Sequence, residues 1–211
     1  MESAAPFRLY YRLEETQNLA EFDNQFTELI QLGIHGIIIN PNIKNFDVRV
    51  LEKIQLLCNA QIDVYLEDAF ELANQYNFTG VILSEQDVSF SHIRKSNPTI
   101  KIGGKATNLA ECKNWELQKI DFIEFRPPTN PQTTSFTKQI LGSESFNKVF
   151  PKEEVYGWMI FSLNLPVFAS GIHHVDSLKE LIDTSSVVGA IISDQFEPKI
   201  SREKIVREIL K

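Results

Sequence analysis

The sequence predicts a (β/α)8 barrel, a compact α/β TIM barrel in which residues 1–211 form a single domain. Three observations predict it. Eight short β-branched or aromatic runs alternate with stretches of helical spacing. Most runs start about 20 to 28 residues apart, the length of a strand, a crossover helix and two short loops. Polar residues follow most of the runs at once, as they do at the active rim of such a barrel.

In order, the strands are Arg8–Leu13 (RLYYRL), Gly36–Asn40 (GIIIN), Ile62–Leu66 (IDVYL), Gly80–Leu83 (GVIL), Thr99–Ile102 (TIKI), Asp121–Phe125 (DFIEF), Pro166–Ala169 (PVFA) and Gly189–Ile192 (GAII). Helical stripes lie between them: Phe22, Phe26, Leu29 and Ile30; Val50, Ile54 and Leu57; Leu178, Leu181 and Ile182; Ile205, Ile209 and Leu210. The longest gap, between the sixth and seventh strands, holds the loop RPPTNPQTTS and two helical stretches. A doubly wound open sheet is the competing arrangement. It normally carries a glycine-rich turn after its first strand, whereas Leu13 leads into Glu14, Glu15 and Thr16.

Composition narrows the partners. Apolar residues make up 43% and charged residues 23%, a globular balance. No apolar run approaches the roughly 20 residues that span a bilayer, so no membrane partner is expected. A net charge of −7 argues against nucleic acid, whose phosphates need a basic face. Cys58 and Cys112 read as buried thiols in a reducing compartment. MESAAPFRLYYRLEE has no basic segment followed by an apolar one, so the expected location is the cytoplasm. A homo-oligomer stays open.

The rim supplies the candidate residues: Asn40 and Asn42 after strand two, Glu67 and Asp68 after strand three, Glu85 and Asp87 after strand four, and Lys105 after strand five. Arg126 follows strand six, Gly171 strand seven, and Ser193 and Asp194 strand eight. Carboxylates from adjacent strands, such as Asp68 and Asp87, suit Mg²⁺, which takes hard oxygen ligands and completes its shell with phosphates and water. The ordinary reading of either Asp is a helix N-cap, Asp68 before AFELA and Asp87 beside Ser89. Lys44, Lys105 and Lys138 lie in or near loops beyond strands, where a lysine neutralises phosphate or is merely solvated. Gly171 and Ser193 sit where phosphate binds in many barrels. The adjacent His173 and His174 have no metal-binding spacing. There is no P-loop and no serine-centred elbow.

These segments resemble thiamine-phosphate synthase and its TenI-like relatives, from LYYRL to IISDQF. The best stretch is VYLEDAFELANQYNFTGVILSEQDVSF, in which Asp68 and Asp87 fall on the two Mg²⁺-binding aspartates of the family and Glu67 replaces an Asn. The family's Gln-x-Arg-x-Lys reads here as Asn40-Pro41-Asn42-Ile43-Lys44, which keeps the lysine and lacks the arginine that grips pyrophosphate. KIGGKATNLAEC is similar to the Ile-Gly-x-Ser segment, with Lys105 for Ser, and DFIEFRPPTN to Asp-Tyr-Ile-Gly-x-Gly-Pro, with Arg126 before Pro127. Thr129 and Lys138 fall in the loop that follows, Lys138 near a phosphate-binding lysine of the family. PVFASGI is one glycine short of Pro-Val-x-Ala-x-Gly-Gly-Ile, and Ile191, Ile192 and Ser193 match a phosphate-contacting stretch.

The resemblance implies a Mg²⁺-dependent transferase that joins hydroxymethylpyrimidine diphosphate to a thiazole phosphate and releases pyrophosphate. Lys44, Lys105 and Lys138 would act on the departing group. Asn40, Asn42, Glu67, Arg126, Thr129, Gly171, Ile192 and Ser193 would hold the substrates. A further expectation is that Lys105 or Arg126 partly replaces the charge missing at Asn42. The alternative is a TenI-like paralogue without synthase activity, either a thiazole tautomerase or a non-catalytic barrel that binds a phosphate ligand. The tautomerase would carry a His after strand five, where Thr107 stands in GGKATN.

Overall fold

The computed structural model closes eight parallel strands into a barrel in sequence order, with the eighth strand returning to the first. It describes residues 7–13, 27, 29–30, 33–42, 46–57, 62–84, 90–126, 163–172, 178 and 187–193. The strands are β1 (Arg8–Leu13), β2 (Gly36–Ile39), β3 (Asp63–Glu67), β4 (Gly80–Leu83), β5 (Lys101–Ala106), β6 (Phe122–Phe125), β7 (Val167–Ser170) and β8 (Gly189–Ser193). Among the described residues the helices are α1 (Arg49–Leu57), α2 (Phe70–Gln75), α3 (Phe90–Ser96) and α4 (Leu109–Leu117). No helix of the described residues is long and apolar enough to cross a membrane.

The strands are apolar on both faces because both faces are buried. Alternation sends Leu9, Tyr11, Ile37, Ile39, Val64 and Leu66 outward into a core shared with the helices. Val50 and Ile54 of α1, Ala73 of α2, Ile93 of α3 and Cys112 and Trp115 of α4 fill the same layer, together with Leu29 and Leu178. Tyr10, Ile38, Tyr65, Ile82, Phe122, Phe168 and Ile191 point inward and fill the barrel itself. Four of these form a ring of aromatic contacts. Tyr10 stacks on Phe168 at 4.9 Å, Phe168 meets Phe122 edge-on at 5.3 Å, Phe122 meets Tyr65 at 5.2 Å, and Tyr65 returns to Tyr10 at 5.8 Å. Phe22, Phe26, Cys58, Leu181, Ile182, Ile205, Ile209 and Leu210 lie outside the described residues.

Several strand ends differ from the sequence reading in a way that matters for the site: β2 stops at Ile39, before Asn40, and β8 runs on to Ser193. β5 does not stop at Ile102 but runs through Gly103 and Gly104 to Ala106, so Lys105 is a strand residue. The two glycines do not break the strand, because neighbours occupy the space of their missing side chains. A Cβ on Gly103 would lie 2.3 Å from Phe122 Cζ, and one on Gly104 would lie 2.5 Å from Trp115 Cδ2. Trp115 also donates its indole N–H to the Lys105 carbonyl at 2.7 Å, which pins the strand where Lys105 enters the barrel. β3 likewise continues to Glu67.

Local capping holds α4. The Asn108 side chain accepts the Glu111 N–H at 2.9 Å, and the Glu111 carboxylate reaches back to the Thr107 N–H at 2.7 Å. The buried Cys112 thiol is free, and burial pushes its pKa up to about 12, so it stays protonated and inert.

Candidate functional site

A period of two governs the barrel mouth. Two residues beyond the inward aromatic and aliphatic layer, every strand presents a polar side chain or ends at one: Arg12 after Tyr10, Asn40 after Ile38, Glu67 after Tyr65, Ser84 after Ile82, Lys105 after Gly103, Glu124 after Phe122, Ser170 after Phe168 and Ser193 after Ile191. The lumen is thus apolar in its middle layer and polar at its C-terminal rim.

Arg12 organises that rim. Its Nε donates to Glu67 Oε1 at 2.7 Å, its Nη1 donates to Glu124 Oε1 at 2.8 Å, and its Nη2 donates to Glu124 Oε2. The Lys105 ammonium lies 2.9 Å from Glu67 Oε2. Side-chain exposure is 12% for Arg12, 6% for Glu67, 2% for Glu124 and 30% for Lys105, so three of the four charges are nearly dry. Burial pulls the Arg12 guanidinium down, but the charges and hydrogen bonds of Glu124 and Glu67 outweigh it and leave its pKa raised. Burial likewise pushes the Glu124 carboxyl up, and Arg12, with help from Lys105, holds it below the usual carboxylate range. Arg12 and Glu124 are therefore both charged at neutral pH.

Asp68 stands just outside this lattice. It is exposed, and its φ of 49° is a left-handed conformation that Asp tolerates better than most residues. It does not cap α2, whose N-cap is Ala69 with no side-chain bond. Its Oδ1 accepts the Ser84 N–H at 2.7 Å, tying the end of β3 to the end of β4. Its Oδ2 has no partner among the described residues, which leaves one carboxylate oxygen for a hard cation. No group of three or more His, Cys, Asp or Glu able to hold a metal occurs among the described residues. That finding does not decide against Mg²⁺, which needs only one or two carboxylates when phosphate supplies the rest. Asp68→Ala is expected to cost about 1–2 kcal/mol, from the lost Ser84 bond and from alanine's poor fit to positive φ. Asp68→Asn, which keeps an acceptor and tolerates that φ, is expected to cost much less. Urea unfolding of both variants checks this, and equal losses would remove the bridging role.

The other candidates divide clearly. Asn40 Oδ1 accepts the Asn42 N–H at 2.9 Å, a local turn, while Asn42 Nδ2 donates to the Glu67 carbonyl at 3.3 Å. Glu67 itself is committed to Arg12 and Lys105. Arg126, Gly171, Ile192 and Ser193 come together with Arg12, Ile172 and Ile191 around a small open cleft at the rim of β7 and β8. Lys44, Asp87, Thr129, Lys138, His173 and His174 lie outside the described residues. Of the remaining histidines, His35 accepts the Leu9 N–H at 3.1 Å, and His92 is an exposed residue of α3 whose ring lies edge-on to Phe70. Neither enters the rim lattice.

Arg12 and Glu124 are the residues that sequence reasoning passed over. Their signal was present: each is a charge inside an otherwise apolar run, at inward parity. In a strand buried on both faces such a charge needs an opposite partner.

No protein family profile matches the chain, and no curated protein matches it. Solved structures do. Thiamine phosphate pyrophosphorylase from Pyrococcus furiosus is 20% identical over 97% of this chain and 98% of that one, with a TM-score of 0.69. Thiamine phosphate pyrophosphorylase from Bacteroides thetaiotaomicron is 15% identical over 96% and 93%, with a TM-score of 0.55. An HpcH/HpaI aldolase from Desulfitobacterium hafniense is 13% identical over 91% and 88%, with a TM-score of 0.58. Likeness at such identities carries the fold alone. The chain has the (β/α)8 barrel that these enzymes of different chemistry share.

Proposed function

We propose that this chain is a Mg²⁺-dependent transferase of the thiamine phosphate synthase type, joining hydroxymethylpyrimidine diphosphate to a thiazole phosphate with release of pyrophosphate. The observation that carries this reading is the cleft at the ends of β7 and β8, where Gly171, Ile192, Ser193 and Arg126 meet beside the polar barrel mouth. Gly171, at φ 72°, brings backbone without a side chain to the edge of the cleft, where the thiazole's phosphate would sit. Lys105, the more exposed cation of the lattice, faces the mouth with a charge suited to the departing pyrophosphate. Asp68 and Asp87 would hold the cation, and Lys44 and Lys138 would add charge from their loops. Mg²⁺, when bound, supplies further neutralisation of the leaving group.

One observation favours a second reading, a TenI-like paralogue that keeps a phosphate ligand and not the synthase reaction. Glu124 and Arg126 stand at the two glycines of the resembled Asp-Tyr-Ile-Gly-x-Gly-Pro segment, and the Glu124 side chain with Arg12 fills the mouth of the lumen. Space for a ring substrate is reduced there.

The deciding experiment mixes the purified protein with Mg²⁺ and both phosphorylated precursors and measures thiamine phosphate. Product that disappears with EDTA, and that falls in Lys105→Ala and Arg126→Ala, is the expected result. No product above a buffer blank, with a known synthase working alongside, would overturn the transferase and leave the paralogue.

A further inference from the structure

We propose that Arg12 and Arg126 form a two-guanidinium clamp that grips the phosphate of the ligand from its two sides, Arg12 from the floor of the cleft and Arg126 from its rim. The inference rests on the phosphate cleft of the reading above and is independent of the synthase chemistry.

Both arginines line the same cleft, and among the described residues no acidic residue lines it with them. A guanidinium carries five N–H donors. Arg12 spends three on Glu67 and Glu124, and the other two have no partner among the described residues. The carboxylates orient its fork and hold it still, so little side-chain entropy is left to lose on binding. Arg12 thus keeps two preorganised N–H donors, one on each Nη, in a side chain that lines the cleft.

Arg126 is the opposite kind of group. It is exposed, and its guanidinium has no partner among the described residues. Its backbone N–H is anchored to the Ala106 carbonyl at 2.9 Å. Its side chain folds over Gly171: a Cβ at that position would lie 3.2 Å from Arg126 Cγ and 3.3 Å from Nε. Glycine at 171 therefore serves two ends, a positive φ and room for the Arg126 stem to lie across the cleft.

Charge supports the same assignment. Arg12, Lys105, Glu67 and Glu124 cancel, so Arg126 brings the net positive charge, while Arg12 brings direction. The fork of Arg126, with the two N–H donors that Arg12 has left, matches the oxygens of a phosphate monoester or diphosphate and would discriminate against a neutral ligand. The clamp thus relies on side-chain charge in addition to any backbone N–H groups at the rim.

Isothermal titration of the full chain with inorganic phosphate tests the proposal. Wild type is expected to bind, and Arg126→Ala to raise Kd about 10- to 100-fold, the loss typical of a hydrogen bond to a charged group. Arg12→Met/Glu124→Gln, which removes one charge of each sign from the lattice, is expected to weaken binding to a similar degree. If that variant does not melt cooperatively, Arg12→Lys replaces it, keeping the charge and giving up the fork, with an expected loss of about 10-fold. Lys95→Ala, which removes one exposed positive charge from α3, is expected to leave Kd unchanged. Absence of phosphate binding by wild type, or an unchanged Kd in either arginine variant, would overturn the clamp. Phosphate binding with this dependence but no thiamine phosphate would keep the clamp and remove the transferase. Thiamine phosphate formation with an arginine-independent phosphate Kd would do the reverse.

Discussion

Arg12→Met is expected to destabilise the protein by about 3–5 kcal/mol, the usual cost of removing one partner from a buried ion pair. For a chain of this size that corresponds to a fall in Tm of roughly 6–20 °C. The reason is the dryness of the carboxylates left behind, since the Glu124 side chain is 2% exposed and Glu67 6%. Lys105 still neutralises Glu67 in the variant, while Glu124 loses both of its Arg12 hydrogen bonds. Adding Glu124→Gln to Arg12→Met removes the stranded charge and is expected to restore a large part of the loss. A deficit below about 1 kcal/mol in Arg12→Met would mean that the lattice behaves as a solvated surface pair.

The same lattice sets a sign for pH. In the folded wild type the Glu124 carboxyl lies below its ordinary value of 4.5. A depressed carboxyl contributes stability that is fully present above that ordinary value. The contribution is lost as pH falls from it through the folded pKa. Wild type is therefore expected to lose stability on acidification below 4.5. In Arg12→Met the dominant influence on Glu124 becomes burial, which favours the neutral acid, so the deficit of the variant should shrink as pH falls. Urea unfolding of both proteins across this range measures the two slopes, and parallel slopes would contradict the assignment.

Gly80→Ala and Gly103→Ala are each expected to cost about 3 kcal/mol or more, at the upper end of overpacking losses, but only one of them can be rescued. A Cβ on Gly103 meets Phe122 Cζ at 2.3 Å, the far edge of a side chain. A Cβ on Gly80 meets the Lys101 backbone carbonyl oxygen at 2.2 Å, and the Tyr65 ring at 2.8 Å. Phe122→Leu should therefore cost less in the Gly103→Ala background than alone, a coupling that a double-mutant cycle on urea-unfolding free energies reads directly. Tyr65→Leu should give little relief to Gly80→Ala, because the strand backbone cannot move aside. Equal coupling in the two cycles would contradict this account of the lumen.

The fold was legible because its signals are local and repeated. GIII, GVIL and VFAS are buried on both faces, and a strand so placed has to be apolar throughout. Spacing between such runs reports the crossovers, and the eightfold count reports closure. The rim position of Gly171, Ile192 and Ser193 was legible for the same reason, since each lies at or beside the C-terminal end of a strand. The sequence reading ends the fifth strand at Ile102, whereas β5 runs to Ala106. Gly103-Gly104 looks like a break in isolation, and it continues β5 because Phe122 and Trp115, distant in sequence, occupy the space that side chains would take.

By itself the sequence determined the strand periodicity, the barrel, the polar rim and the identity of the residues that end each strand. These depend on the order of apolar and polar residues along one segment at a time. Tertiary structure alone decided which charges meet. Arg12, Glu67, Lys105 and Glu124 come from four strands, and Arg12 lies 112 positions from Glu124. Only the closed barrel brings them within hydrogen-bonding distance, and only its dry interior makes the pairing obligatory. Tertiary structure also decided that Asp68 bridges β3 to β4 through Ser84, where the sequence equally allowed a helix cap. The physical distinction is one of range: hydrophobic burial is written along each strand, whereas the partner of a buried charge is set by which strands become neighbours across the barrel.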